Sequence, residues 1–144
     1  GIGAHMSELR RTRVGSFTEE QSHSLLEVRD AYEIWRSGGD EKLLREILIP
    51  VEHAIPHVKK IFVKDSAIEN ICNGAPVYAN GISRIQKEIV RGETVAVLSL
   101  SEELIALGIA KMTSEEMVKR VKGVAVRNDK VLMRRGTYKI TQNA

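Results

Sequence analysis

With one cysteine in 144 residues, Cys72, the sequence can form neither an intrachain disulfide nor a cysteine-based zinc site. No apolar run approaches the roughly 20 residues that a bilayer-spanning helix needs, which excludes a helical membrane protein. No secretory signal pattern opens the chain, and together with the lone thiol this predicts a reducing, intracellular compartment. Aromatic side chains are scarce: Phe17, Tyr32, Trp35, Phe62, Tyr78 and Tyr138 are too few for a dense base-stacking platform. Net charge is also nearly absent, at +3 from 22 basic and 19 acidic residues.

What is present is an ordinary globular composition, 42% apolar and 28% charged, in a chain long enough to bury about two thirds of its unfolded surface without staples. The small net charge conceals an uneven distribution. Residues 1–116 carry −4, while residues 117–144 carry +7 from Lys119, Arg120, Lys122, Arg127, Lys130, Arg134, Arg135 and Lys139 against Asp129 alone. A second basic cluster is Arg10, Arg11 and Arg13. Clustering of one sign points to a polyanionic partner, whereas the bland reading is a solvated face.

Residues 1–60 read as helical. Leu25, Val28, Tyr32 and Trp35 recur at three- and four-residue spacing after the capping box Ser24-x-x-Glu27, and Gly38-Gly39 ends the run. This stripe predicts a packing face. Asp40 caps a second short helix with Leu43, Leu44, Ile47 and Leu48, stopped at Pro50. From about Lys60 the period shortens. Ile61–Val63 predicts a strand, Asp65-Ser66 opens a helix carrying Ala67, Ile68, Ile71 and Cys72, and Asn73-Gly74 stops it. Strands follow at Val77-Tyr78, Ile82–Ile85, Thr94–Leu100 and Leu104–Met112, the last two joined by Ser101-Glu102-Glu103. Thr113-x-x-Glu116 opens a helical turn, and two final strands, Gly123–Val126 and Val131–Met133, flank a turn at Asn128-Asp129. Short strands with few helices predict a small β-barrel or sandwich.

Little in the sequence supports catalysis. His53 and His57 have the spacing of two zinc ligands on a helix, but Pro56 breaks the geometry and no third ligand is near. Cys72 lies on an apolar stripe and reads as a core residue. Glu19-Glu20, Glu102-Glu103 and Glu115-Glu116 are sequence neighbours and read as solvated. What remains is binding: Asn73-Gly74-Ala75-Pro76 joins helix to strand with small side chains and free backbone donors, which would let a nucleotide approach closely. Its structural reading is a helix C-cap and turn.

The run Lys64–Ala75 (KDSAIENICNGA), followed by Gly81-Ile82, resembles the start of the PUA domain of archaeal and eukaryotic dyskerin-type pseudouridine synthases. Leu104–Ser114 (LIALGIAKMTS) and Gly123-Val124-Ala125-Val126 fit the same domain, and Gly3–Phe17 resembles the end of the family's catalytic domain. Gly1–Met6 ends in His-Met as a vector remnant would, yet it leads directly into the family-like ELRRTR and is read as native. The resemblance implies a mainly β fold with helices. Residues 61–144 would be a PUA-type small mixed β pseudo-barrel, and residues 1–60 a remnant of the catalytic domain with its helical connector.

The family isomerises uridine to pseudouridine without a cofactor through an aspartate in a Gly-Arg-Leu-Asp motif. That motif is absent here, so the chain alone is expected to be inactive. The supporting arginine of the family's LRR motif falls on Arg10 or Arg11. No metal is implied. The expected partners are an H/ACA guide RNA held at its ACA end and lower stem, an rRNA or tRNA substrate, and small zinc-ribbon, Gly/Arg-rich and kink-turn-binding proteins, with no membrane. The expected compartment is the archaeal cytoplasm, or the nucleolus in a eukaryote. Carried over residue by residue, the RNA-binding candidates are Lys64, Asn73, Gly74, Ala75, Pro76, Val77 and Tyr78, then Lys130, Arg134, Arg135 and Tyr138. The chain departs from the family after Arg135, where Gly136-Thr137-Tyr138-Lys139 lacks the usual proline, and at Tyr78–Gly81, which lacks the proline before glycine. Two other readings are a PUA domain for tRNA CCA ends and a protein-docking module built on the Leu25–Trp35 stripe.

Overall fold

The computed structural model describes residues 1–119 and 122–138. Arg120 and Lys139, two members of the basic segment, lie outside the described residues. The chain forms two compact units, Gly1–Ala54 and Ile55–Ala144, whereas the sequence reading places the division after residue 60.

In the first unit, β1 (Arg13–Val14) and β2 (Phe17–Thr18) pair antiparallel around Gly15, whose φ of +58° suits a residue without Cβ. Helix α1 (Leu25–Arg36) starts at the expected capping box. The Ser24 amide donates to the Glu27 carboxylate at 2.6 Å, and the Glu27 amide donates to Ser24 Oγ at 3.2 Å. Gly39 is required where α1 ends, because a Cβ there would lie 2.8 Å from the Ile34 carbonyl oxygen. In α2 (Lys42–Ile47), the Lys42 amide donates to Asp40 Oδ1 at 3.0 Å.

Most of the expected packing stripe is uncovered among the described residues. Leu25 is 89% exposed and Trp35 is 45% exposed, with Tyr32 beside it at 5.7 Å between ring centroids. Ala31 alone is fully buried among the described residues of this unit, because the six-residue α2 covers only the Ala31 side of α1.

The second unit contains β3 (Lys59–Val63), α3 (Asp65–Cys72), β4 (Val77–Tyr78), β5 (Ile82–Ile85), β6 (Thr94–Leu98), β7 (Leu104–Ala110), α4 (Ser114–Lys119) and β8 (Val124–Val131). The strands form one mixed sheet in the order β4-β8-β7-β6-β3-β5. Its single parallel pair, β3 with β6, is connected through α3, β4 and β5. The two edge strands are consecutive in the chain and joined only by the 3-10 turn Ala79–Gly81. Three residues cannot span a flat six-stranded sheet of about 4.8 Å strand spacing, so the sheet curls until its edges approach. This is the near-barrel of a PUA fold.

Inside the curl lie Ile61, Val63, Val95, Val97, Ile105 and Val126, closed by Ile68, Ile71 and Cys72 of α3 and Met117 of α4. Burying each large aliphatic side chain is worth about 1.5–3 kcal/mol. The outer face of the central strands is buried too. Phe62, Ala96, Leu98 and Leu104 pack against Ile55 and Val58, which explains why Val95–Leu98 reads as an unbroken apolar run.

The two expected C-terminal strands are one. Residues Val124–Val131 run continuously, so Asn128-Asp129 is not a turn. Asn128 stays in the ladder opposite Gly108, where the register slips between Leu107 and Gly108. The missing Cβ of Gly108 is what permits this, since it would lie 2.6 Å from both the Arg127 carbonyl oxygen and Val126 Cγ1. The capping box at α4 is present: the Thr113 amide donates to Glu116 Oε2 at 2.9 Å, and the Glu116 amide donates to Thr113 Oγ1 at 3.2 Å.

Candidate nucleic-acid interface

Helix α3 forms because the apolar set Ile68, Ile71 and Cys72 seals one end of the barrel, leaving Ser66 and Asn70, one turn apart, on its outer flank. Between that flank and β4 is a cavity of about 290 Å³. Ser66, Asn70, Pro76, Tyr78 and Asn80 line it, with Ala75 and Gly81 as backbone walls. Ser66, Asn70 and Asn80 are exposed. Tyr78 is 49% exposed and stands at the rim, an available stacking face. The cavity walls present amide and hydroxyl groups able to donate and accept hydrogen bonds. Lys64 flanks the cavity; its Nζ donates to the Asn80 carbonyl at 2.9 Å and its amide to the Gly81 carbonyl at 2.8 Å, which fixes the Ala79–Gly81 turn.

Of the two readings of the turn Asn73–Pro76, the structure takes the helix C-cap. Its backbone donors are not free: the Asn73 amide donates to Glu69 O at 3.0 Å, Gly74 to Ile71 O at 2.9 Å and Ala75 to Asn70 O at 3.0 Å, while Pro76 has no N–H. These bonds satisfy the last carbonyls of α3, the ordinary demand of a helix terminus, with Gly74 at φ +96° supplying the left-handed residue. Asn73 spends its side chain in the same way, with Nδ2 donating to Glu69 O at 2.9 Å and Glu69 Oε1 at 3.3 Å. Val77 also lines the cavity, although it is buried in the core. The groups that remain for recognition are therefore side chains and carbonyls.

After β8 the chain makes a turn, closed where Thr137 Oγ1 donates to the Arg134 carbonyl at 2.7 Å. Three anchors hold this segment. The Met133 amide donates to Ile105 O at 3.0 Å, the Gly136 amide donates to Glu69 Oε2 at 3.0 Å, and the Tyr138 hydroxyl donates to the Glu103 carboxylate. Tyr138 also packs against the barrel core, so it is not an open stacking face, and Glu103 is not simply solvated. Arg134 and Arg135 project from the turn, exposed and outside any ion pair among the described residues. Lys130 is exposed on β8 opposite Leu107. Nearby, burial pushes the Cys72 thiol above its ordinary pKa and the Glu69 carboxylate adds to the shift, which makes it a core residue rather than a nucleophile.

In the first unit, Arg10 is engaged by Glu19, with Nε donating to Oε1 at 2.9 Å. Arg11 lines a shallow concavity with Thr12, Phe17 and Ser22 and has no ion-pair partner among the described residues.

The resemblance puts the helical stretch 65–73 in the contact groove without singling out Ser66, Glu69 or Asn70, and Asn80 and Asn128 carry no signal of their own. The i, i+4 pair Ser66 and Asn70, on the polar side of a helix leading into Asn-Gly-Ala-Pro, is the signal that could have found two of them. Asn128 and Glu69 act on backbone 53 and 67 residues away, beyond any local pattern.

Residues 59–132 match the PUA domain model, and residues 1–56 match the model of the tRNA pseudouridylate synthase B C-terminal domain. The chain is 46% identical to a probable tRNA pseudouridine synthase B of Pyrobaculum arsenaticum over 138 residues, covering 96% of this chain and 42% of the relative. It spans about two fifths of the length of the curated relatives it matches. Among solved structures, it superposes on the archaeal box H/ACA sRNP Nop10-Cbf5 complex with a TM-score of 0.87 and 42% identity, covering 96% of this chain and 45% of that one. On an H/ACA RNP bound to a substrate RNA containing 2′-deoxyuridine, the TM-score is 0.84 at 44% identity, covering 96% of this chain and 44% of that one.

Proposed function

Because the chain belongs to the PUA domain family, preceded by the C-terminal domain of tRNA pseudouridylate synthase B, we propose that it is the RNA-gripping region of an archaeal RNA pseudouridine synthase. Its ligand is the ACA end and lower stem of an H/ACA guide RNA, and the reaction served is isomerisation of uridine in rRNA or the tRNA T-loop. The observation that carries this reading is the α3–β4 cavity, with Ser66, Asn70 and Asn80 on its walls, Tyr78 at its rim and the anchored Arg134-Arg135 turn joined to the same helix. Side chains in the slot discriminate bases, while the guanidinium groups and Lys130 meet phosphates.

The chain by itself does not isomerise uridine in this account, since no Gly-Arg-Leu-Asp motif supplies the aspartate. With Arg10 held by Glu19, Arg11 is the guanidinium left to face that aspartate in a longer protein. Solved relatives in H/ACA particles with substrate RNA, with Nop10, or with Nop10 and Gar1 support RNA and small protein partners; a guide RNA and small zinc-ribbon, Gly/Arg-rich and kink-turn-binding proteins are the partners of this proposal. A cytoplasmic location in an archaeon, or a nucleolar one in a eukaryote, belongs to the same proposal.

The experiment is fluorescence anisotropy with an ACA-ended hairpin. Asn70→Leu is expected to lose the preference for ACA over a scrambled end while keeping salt-dependent binding. Arg134→Glu with Arg135→Glu is expected to weaken both RNAs alike. Unchanged affinity in a folded double variant would overturn the RNA reading in favour of protein docking.

A further inference from the structure

One feature of the candidate face runs against its charge. A strand of RNA lying over α3 and the Arg134-Arg135 turn meets a carboxylate, Glu69, and a carboxylate beside phosphates is repulsive. The hydrogen bonds of Glu69 account for its presence. Oε1 accepts from Asn73 Nδ2 at 3.3 Å, and Oε2 accepts the Gly136 amide at 3.0 Å. One side chain thus spans from the C-terminal turn of α3, whose other flank lines the cavity, to the backbone of the basic turn. Gly136 sits at φ +76°, a conformation that presents its N–H outward at little cost only because the residue has no Cβ.

We infer that Glu69 is a positioning residue that couples the base cavity to the phosphate-contacting turn, so that occupation of the slot and capture of the backbone by Arg134 and Arg135 are one event. This rests on the RNA-binding reading above. Among the described residues, the other anchors to the barrel hold the two ends of the segment, at Met133 and Tyr138; the Thr137–Arg134 bond closes the turn on itself, and Glu69 ties its middle to α3. Its work is therefore done as a hydrogen-bond acceptor, and the negative charge is incidental.

That distinction sets the test. Binding of an ACA-ended RNA by the full chain is measured across a salt series for Glu69→Ala, Glu69→Gln, Arg134→Ala with Arg135→Ala, and the combination of Glu69→Ala with the arginine pair. Loss of two phosphate contacts lowers the slope of log affinity against log salt by about 1.4 for single-stranded RNA. Glu69→Ala is expected to show that loss, to match the arginine pair, and to add nothing to it in combination. Glu69→Gln keeps an acceptor oxygen without charge and is expected to restore most of the slope. Exchange of the Gly136 amide, read by NMR without RNA, is expected to quicken in Glu69→Ala and not in Glu69→Gln.

An unchanged slope, or tighter binding by both Glu69 variants, would show that the carboxylate only repels RNA, and the coupling would be wrong. Failure of the unaltered chain to prefer ACA-ended RNA would instead remove the reading beneath it.

Discussion

Asn128 Nδ2 donates to the Ala75 carbonyl at 2.8 Å, tying the penultimate segment of the barrel to the turn that walls the candidate cavity. The bond is made from inside the β7–β8 ladder, at the register slip opposite Gly108, and it settles where Ala75 and Pro76 lie.

Asn128→Asp replaces this donor with an acceptor facing a carbonyl. At neutral pH the variant is expected to lose about 1–3 kcal/mol of stability, the cost of leaving a buried partner unmatched. Its carboxyl is held protonated more readily in the folded state than in the unfolded one, so the defect is present at neutral pH and is relieved as pH falls towards about 4. Urea unfolding at pH 7 and pH 4 checks both points, and preference for ACA-ended RNA is expected to fall with the bond.

Gly108→Ala places a methyl 2.6 Å from the Arg127 carbonyl oxygen and Val126 Cγ1. Neither neighbour can withdraw without breaking the β7–β8 ladder, so the expected cost is about 1–3 kcal/mol. Denaturant midpoints report it. A neutral result would mean that the slip in register does not depend on this glycine.

Cys72 is buried at the α3–barrel contact, and both burial and Glu69 raise its thiol pKa. Alkylation by iodoacetamide at pH 8 is expected to be slow in the folded chain and to proceed at the rate of a free thiol in urea. Rapid native labelling would contradict the packing of α3.

The elements of the barrel were readable because each obeys a local rule: Asp65 and Ser66 start a helix, Gly74 stops it, and Thr113 with Glu116 caps the next. The near-barrel needed a resemblance, since strand order is a property of pairings that no local pattern states. Asn128-Asp129 looked like a turn and Tyr138 like a stacking face, and in both cases a distant partner claims the group. Between the two readings of Asn73–Ala75, free donors or a helix C-cap, the carbonyls at the end of α3 decide for the cap. For the Leu25–Trp35 stripe, periodicity reports an apolar face and says nothing of what covers it.

The central claim is that a side-chain-lined slot on α3 and β4 reads the end of a guide RNA. It is tested most directly by titrating the chain with two hairpins identical except for a terminal ACA and its scramble, at two salt concentrations. The account predicts tighter binding of the ACA end, with a ratio that persists as both affinities fall with salt. Equal affinities at both concentrations would contradict it and leave only a basic surface.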